Sequence, residues 1–314
     1  MPSAAVQKGD IFVPLRRQRS VLVIQGSSRA PARRRPEVKA DDAIQEPYGL
    51  CWDTGRGGLW LSDKLASRIR FYRDGNLTEE TFSLTTEFLN EPCGLDYHAH
   101  NGLLVGCYGA CSSSLMPGGV YSLDSSGSWK TRTPKGFNSR VTKCVWLPNN
   151  CFAYVTTDDC VLRICSADNS VIAATSPARY EIPSPSGSLK DLHFRCVQSL
   201  LYSKTLGRLL VGDSSFGSIF SINLEDLTYS ILLGRPRFSS VGELPELVAG
   251  IPQKDAWLGS IVSMFEIGSD IYWINGDLGL CFGLDQRGRV SQVSSFKQFI
   301  GDDIVPPVTV AIAQ

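Results

Sequence analysis

Hydrophobic positions along this chain fall in short runs of strand length, broken by Gly-rich turns, and the runs come in sets of four. The clearest set lies between Glu46 and Leu84, where PYGLCWD, GLWLSD, RIRFYRD and EETFSL follow one another. The third run alternates, the period of a strand whose successive side chains point to opposite faces. Four such strands joined by short turns predict one antiparallel sheet.

The set repeats. A second copy opens with EPCGLDYH at Glu91, 45 residues after Glu46, and continues through GLLVGCYG, GVYSLD and SWKTRT. A third reads VTKCVWL, CFAYVTT, CVLRICS and SVIAATS; a fourth reads CVQSLLYS, GRLLVGD, GSIFSIN and LTYSILL; a fifth reads SIVSMFEI, DIYWING, GLCFGLD and RVSQVSSF. One apolar strand, PPVTVAIA, is left over at the end, while DIFVPLRRQRSVLVIQGSS near the start reads as second and third strands of the same unit. Self-similarity at this period marks a repeat architecture. The expectation is an all-β fold, a six-bladed β-propeller of four-stranded antiparallel blades, closed by pairing of the N-terminal strands with the C-terminal strand so that no edge stays unpaired. Residues 1–314 then form a single domain, with blades at 46–90, 91–139, 140–192, 193–259 and 260–300 and a split blade from 301–314 and 9–45.

The unit resembles the NHL repeat, whose pattern is Pro-x-Gly-apolar at the opening, an apolar strand ending in Asp, and an Arg-apolar-x-apolar third strand. Pro47, Gly49, Leu50, Asp53, Asp63, Arg68, Phe71 and Gly75 occupy that pattern in the first set; the second keeps Pro92, Gly94, Leu95 and Asp96 and lacks the strand-end Asp. Later sets match in strand rhythm alone. The related six-bladed YWTD, SMP-30/gluconolactonase and strictosidine-synthase-like propellers stand as alternatives.

In a propeller, the connections from second to third strand and from fourth strand to the next blade emerge on one face. Three long connections map there: Gly109 to Gly118, Ser176 to His193, and Leu233 to Gly259. A fourth long segment, the basic stretch Arg29 to Lys39, is not assigned to a face. Connections beyond about 12–15 residues are uncommon and often functional. In the longest, Phe238, Val241, Leu244, Leu247, Val248, Ile251 and Trp257 predict an ordered cover with a short helix around Glu243 to Val248.

Composition narrows the class. With 43% hydrophobic and 20% charged residues the chain has material for a core. No apolar run approaches the roughly 20 residues that span a bilayer, so no membrane insertion is expected. The opening MPSAAVQKGDIF lacks the pattern of a secretory signal. A cytoplasmic or nuclear location follows, with secretion as the alternative, since the sequon Asn76-Leu77-Thr78 would be usable only there. The ten cysteines form no CxxC pair and read as small buried hydrophobes. Net charge is zero, but the first forty residues gather nine Lys and Arg against Asp10 and Glu37, which raises the case for an anionic partner.

Candidate chemistry sits at blade openings and strand ends. Asp63, Asp213 and Asp277 end second strands, and Glu46 and Glu91 open two sets. Converging carboxylates suit a hard cation such as Ca²⁺; the competing role for the strand-end Asp is to cap the following turn through backbone N–H groups. Resemblance to the SMP-30 group implies a Glu at a blade opening as metal ligand, with Asn and Asp ligands from other openings. The corresponding places here read Arg140, Arg195 and Ser260, and the two cations among them favour an anionic ligand. No cofactor is therefore expected, with Ca²⁺ on Glu46 and Glu91 as the alternative. His98 and His100 are expected on a solvent-facing turn, and His193 stands alone. No nucleophile elbow, HExxH or phosphate loop is present. The expected function is a protein- or peptide-binding propeller module, a subunit or scaffold that uses the face of 109–118, 176–193 and 233–259. Candidate ligand-binding residues are Arg16, Arg17, Arg19, Glu46, Glu91, Arg140, Arg195, Phe216 and Trp257. One alternative is an enzyme of the metal-dependent lactonase or strictosidine-synthase-like type. Another is single-stranded RNA binding, with the cations as a basic stripe and Phe216 or Trp257 as exposed stacking rings; a sequence pI near 6.8 weighs against it.

Overall fold

Strand formation follows the apolar runs closely. A computed structural model of the chain describes residues 10–15, 19–24, 31–34, 44–74, 82–85, 89–109, 118–134, 137, 139–238, 256–276, 278–295 and 311–312. Their contacts group into two units, one of 1–146 with 305–314 and one of 147–304.

The first unit starts with β1 (Ile11–Leu15), β2 (Ser20–Ile24) and β3 (Pro31–Arg34). It continues with β4 (Pro47–Asp53), β5 (Gly58–Asp63), β6 (Arg68–Arg73) and β7 (Phe82–Leu84). Next come β8 (Pro92–His98), β9 (Gly102–Cys107), β10 (Gly119–Leu123), β11 (Trp129–Thr131) and β12 (Val141–Trp146). The second unit holds β13 (Phe152–Thr156), β14 (Leu162–Cys165), β15 (Val171–Ala174) and β16 (Ser186–Ser188). It adds β17 (Val197–Ser203), β18 (Arg208–Asp213), β19 (Ser218–Asn223) and β20 (Thr228–Leu233). It ends with β21 (Ile261–Ile267), β22 (Asp270–Asn275), β23 (Leu280–Leu284) and β24 (Val290–Ser295), and β25 (Ala311–Ile312) closes the chain.

Five blades come from contiguous chain: β4 to β7, β8 to β11, β12 to β15, β17 to β20, and β21 to β24, each a four-stranded antiparallel meander. The expected blade number of six is thereby corrected to five. Beside the five stands a sheet ordered β25-β1-β2-β3, which takes strands from both chain ends, with Ile11 opposite Ile312 and Phe12 opposite Ala311. The basic stretch expected as a connection contributes β3, which pairs with β2 from Val21 opposite Arg34 to Ile24 opposite Pro31.

The connection from 176 to 193 is also more than a loop. Its Ser186–Ser188 joins the outer edge of β20 as a fifth strand, and Ile231 N–H donates to the Pro185 carbonyl at 3.0 Å. The chain then turns through Leu189–Asp191, burying Leu189 and Leu192, and Ser176 N–H donates to the Leu192 carbonyl at 2.8 Å.

Each blade strand serves two cores. In the first blade Leu50, Leu59, Leu61 and Tyr72 pack with Phe12, Val21 and Val23. Cys51, Trp60, Ile69 and Phe71 pack on the other side with Leu95, Leu103, Val105 and Tyr121. Both faces of the sheet are thus covered, and at about 1.5–3 kcal/mol for each large apolar side chain this burial is the main stabilising term. It also explains why β5 is buried along its whole length and why the polar position Arg70 of β6 is buried too. Arg70 meets Asp63, Nη2 to Oδ2 at 2.9 Å.

The Pro-x-Gly opening has a packing cause. A Cβ on Gly49 would lie 2.1 Å from the Cys93 carbonyl oxygen, and one on Gly94 would lie 2.8 Å from that of Thr142. Glycine there lets neighbouring blade openings approach backbone to backbone.

Candidate functional site

Four openings share one hydrogen-bonded arrangement. Pro47, Pro92, Val197 and Ile261 begin their blades opposite the strand-end residues Asp63, Cys107, Asp213 and Asn275, all fully buried. The next residue in each case, Lys64, Tyr108, Ser214 or Gly276, donates its N–H to the carbonyl of Glu46, Glu91, Cys196 or Ser260. The place of Glu46 in the fourth blade is therefore held by Cys196, and Arg195 lies one residue earlier than the sequence comparison put it.

Strand-end carboxylates fix these lead-in segments. Asp63 accepts N–H bonds from Gln45 and from Glu46, the latter at 2.9 Å, so it holds the residues ahead of its blade rather than the turn after it. Asp213 does both: Oδ2 accepts from Arg195 N at 2.7 Å and Cys196 N at 3.2 Å, and Oδ1 from Ser215 N at 2.8 Å and Phe216 N at 3.0 Å. Burial raises the Asp213 pKa against the pull of those four donors.

In the first unit the openings gather charge around one ring. Lys64 Nζ lies 3.4 Å from Glu91 Oε2 and 4.4 Å from the centre of the Tyr108 ring, with Tyr48 at 5.4 Å. Arg140 donates from Nη1 to the Tyr108 hydroxyl at 3.0 Å and lies 5.1 Å from the same ring. Glu91 holds a left-handed backbone, φ 48°. Its carboxylate is thus engaged by a cation, and among the described residues no group of three or more His, Cys, Asp or Glu is placed to hold a metal ion.

The second unit carries a different arrangement. Arg195 has its guanidinium carbon 4.6 Å from the centre of the Tyr180 ring and 5.2 Å from that of Phe238. Tyr180 is 87% exposed, Ile182 51% and Phe238 42%. Beneath them, Phe238 lies 6.0 Å from the buried Phe216, which meets His193 edge-on at 6.0 Å. His193 is buried, its Nε2 2.8 Å from the Glu181 carbonyl oxygen. Arg237 lies 5.2 Å from the ring of Trp257, which fills the space left by Gly217: a Cβ there would come within 2.1 Å of its Nε1. Leu258 N–H donates to the Gly217 carbonyl at 2.9 Å, tying both ends of the long connection to one floor.

Two expectations change here. Phe216 and Trp257, expected as exposed rings, are buried and form the floor. The exposed ring missed in the sequence is Tyr180, whose signal is a single aromatic in the charged, Pro- and Ser-rich stretch SPARYEIPSPSGS. Of the others, Arg19 is exposed with φ 48°, and His98 and His100 meet at a turn with ring centres 5.8 Å apart. Arg16, Arg17, Asp277, residues 110–117 and residues 239–255, including the expected helix, lie outside the described residues.

No family model matches the chain, and no curated protein does. Among solved structures it is similar to the nidogen/laminin complex at 9% identity, covering 97% of this chain and 98% of that one, with a TM-score of 0.65. It is similar to a streptogramin B lyase at 10% identity, covering 96% and 83%, TM-score 0.59. It is also similar to a virginiamycin B lyase from Staphylococcus aureus with quinupristin, catalytically inactive through replacement of one histidine by alanine, at 8% identity, covering 98% and 90%, TM-score 0.57. Likeness at such identities shows the fold alone, an all-β propeller.

Proposed function

We propose that this chain is a protein- or peptide-binding propeller module, a subunit or scaffold whose partner docks on the Tyr180, Arg195 and Phe238 surface of the second unit. The observation that carries the reading is the cluster itself: one cation within 5.2 Å of the centres of two exposed rings, with the buried Phe216 against one of them. Tyr and Arg are enriched at binding hot spots. Clustered exposed apolar side chains on a soluble fold mark contact sites. Two of the long connections singled out in the sequence supply Tyr180 and Phe238, and Arg195 lies just after the first of them. The structural relatives named above include a protein found in a complex and lyases. In this chain His193 is buried against a backbone carbonyl, while His98 and His100 sit at a turn, which favours docking over an activity like that of those lyases.

The nine free cysteines among the described residues favour a reducing compartment, cytoplasm or nucleus.

Selection of phage-displayed peptides on the full-length protein tests the docking surface. Selected peptides are expected to lose at least tenfold in affinity on Tyr180→Ala with Phe238→Ala, while the thermal midpoint stays unchanged. Peptides that bind this double variant as tightly as the original would place the partner elsewhere.

A further inference from the structure

The cations elsewhere on the chain show what Arg195 lacks. Arg70 pairs with Asp63, Arg163 with Asp159, Arg289 with Asp285 and Lys64 with Glu91. Among the described residues, no carboxylate pairs with the Arg195 guanidinium; its contacts are the Tyr180 and Phe238 rings. Among the described residues this guanidinium makes no hydrogen bond, so its N–H groups remain for a planar anion, and arginine recognises a carboxylate with two parallel bonds.

The root of this side chain is anchored on both sides. Arg195 N–H donates to Asp213 Oδ2 at 2.7 Å, and the Arg195 carbonyl accepts from Cys160 Sγ at 2.9 Å. A side chain fixed at its backbone and flanked by rings gives up little freedom on binding. Around it, the described parts of 176–195 and 233–238 carry Arg179, Lys190, Arg195, Arg235 and Arg237 against Glu181 and Asp191. These two segments carry a net positive charge although the chain as a whole is neutral.

Resting on the docking reading, we infer that Arg195 is the specificity-determining residue of this face and that the partner is an acidic peptide. A peptide carboxylate takes the guanidinium edge, and an adjacent apolar side chain covers the ring of Tyr180 or Phe238. A peptide fits better than a single-stranded nucleic acid, because nucleic-acid grooves track many phosphates with a run of cations, whereas this site offers one stacked arginine beside exposed Ile182 and the buried Pro183. A phosphoserine would present the same anionic chemistry from another source, and the experiment separates the two.

The probe is the pool of phage peptides selected on the full-length protein, with the tightest sequence synthesised in three forms: with its Asp or Glu, with the matching amide, and with phosphoserine. The selected pool is expected to be enriched in Asp and Glu. The amide form should bind at least tenfold more weakly, the loss on Arg195→Gln should equal it, and the two changes together should lose no more than either alone. Arg195→Lys should restore little, since an ammonium cannot make the paired bonds. Unchanged melting of the Arg195 variants excludes a folding cause. Peptides that depend on Tyr180 and Phe238 yet ignore Arg195→Gln and show no acidic enrichment would overturn the inference and leave the docking surface standing. Peptides that depend on none of the three residues would overturn both. Tenfold tighter binding of the phosphoserine form would replace the carboxylate with a phosphate, and displacement of the peptide by oligouridylate would replace the peptide with a nucleic acid.

Discussion

Asp213 and Asn275 stand at the same place in their blades, fully buried and opposite the opening residues Val197 and Ile261, yet they meet opposite kinds of partner in the lead-in segment. Asp213 receives four backbone N–H groups, two from the lead-in at Arg195 and Cys196 and two from the turn at Ser215 and Phe216. Asn275 donates from Nδ2 to the Leu258 carbonyl at 2.6 Å and accepts from Leu278 N at 2.7 Å. Where the lead-in offers donors the residue is a carboxylate, and where it offers an acceptor the residue is an amide.

Exchanging the two chemistries should therefore be costly in both directions. Asp213→Asn turns an NH₂ toward a pair of N–H donors, and Asn275→Asp sets a carboxylate against the Leu258 carbonyl. Each leaves buried polar groups unsatisfied, a penalty of about 1–3 kcal/mol per group. Denaturant unfolding monitored by tryptophan fluorescence reads the loss, and a change below about 0.5 kcal/mol, the size of an ordinary surface substitution, would show that these bonds do not hold the lead-in segments.

Gly49→Ala tests close approach against backbone freedom. Its added methyl would sit 2.1 Å from the Cys93 carbonyl oxygen, so the two blade openings must separate. Overpacking of this kind costs about 1–3 kcal/mol. Gly207 is the control: its φ is +63° and a Cβ there meets nothing within 4 Å, so Gly207→Ala carries only the left-handed penalty of about 1–2 kcal/mol. Chemical denaturation of both variants should show Gly49→Ala as the more damaging; the reverse order would mean that backbone conformation outweighs spacing in this fold.

The blades were legible because apolar side chains on both faces of each strand leave dense short runs, and because Pro47, Gly49, Pro92 and Gly94 repeat for a packing reason. β16 was not legible. Ser186, Gly187 and Ser188 have no apolar signal, and they form a strand because the outer edge of β20 offers them hydrogen bonds. Arg195 was found from its position before a strand, although its alignment with Glu46 was off by one residue. Which loop aromatics are buried was beyond reach: hydrophobicity alone ranks Phe216 and Trp257 as it ranks Phe238, and only the floor formed with Gly217 and Leu258 separates them.

Alkaline titration gives a test inside the first unit. Partial burial, and a hydrogen bond to the Asp53 carboxylate, raise the Tyr97 pKa from the ordinary 10.0 to about 12. The folded chain then holds that proton more tightly than the unfolded chain does. Its contribution to stability is whole below pH 10 and is lost as pH rises through about 12. Tyr97→Phe should flatten the fall in thermal midpoint between those limits, and an unchanged slope would assign the fall to other groups.

Cys160 links thiol chemistry to the docking surface. Its Sγ donates to the Arg195 carbonyl at 2.9 Å, and burial, followed by the nearby Cys196 and Asp213, raises its pKa from 9.0 to about 11. The thiolate is the nucleophile, so at pH 7.5 iodoacetamide should modify Cys160 on the order of a hundredfold more slowly than an unperturbed cysteine. Denaturation should abolish the difference. Once alkylated, Sγ can no longer donate to the Arg195 carbonyl, and acidic peptides selected on the native protein should bind more weakly while the blades stay folded. Mass spectrometry of time-resolved labelling, paired with peptide binding, reads both effects. Fast labelling at neutral pH would mean that the thiol is neither shielded nor bonded, and unaltered binding after labelling would show that the Arg195 backbone does not need this anchor.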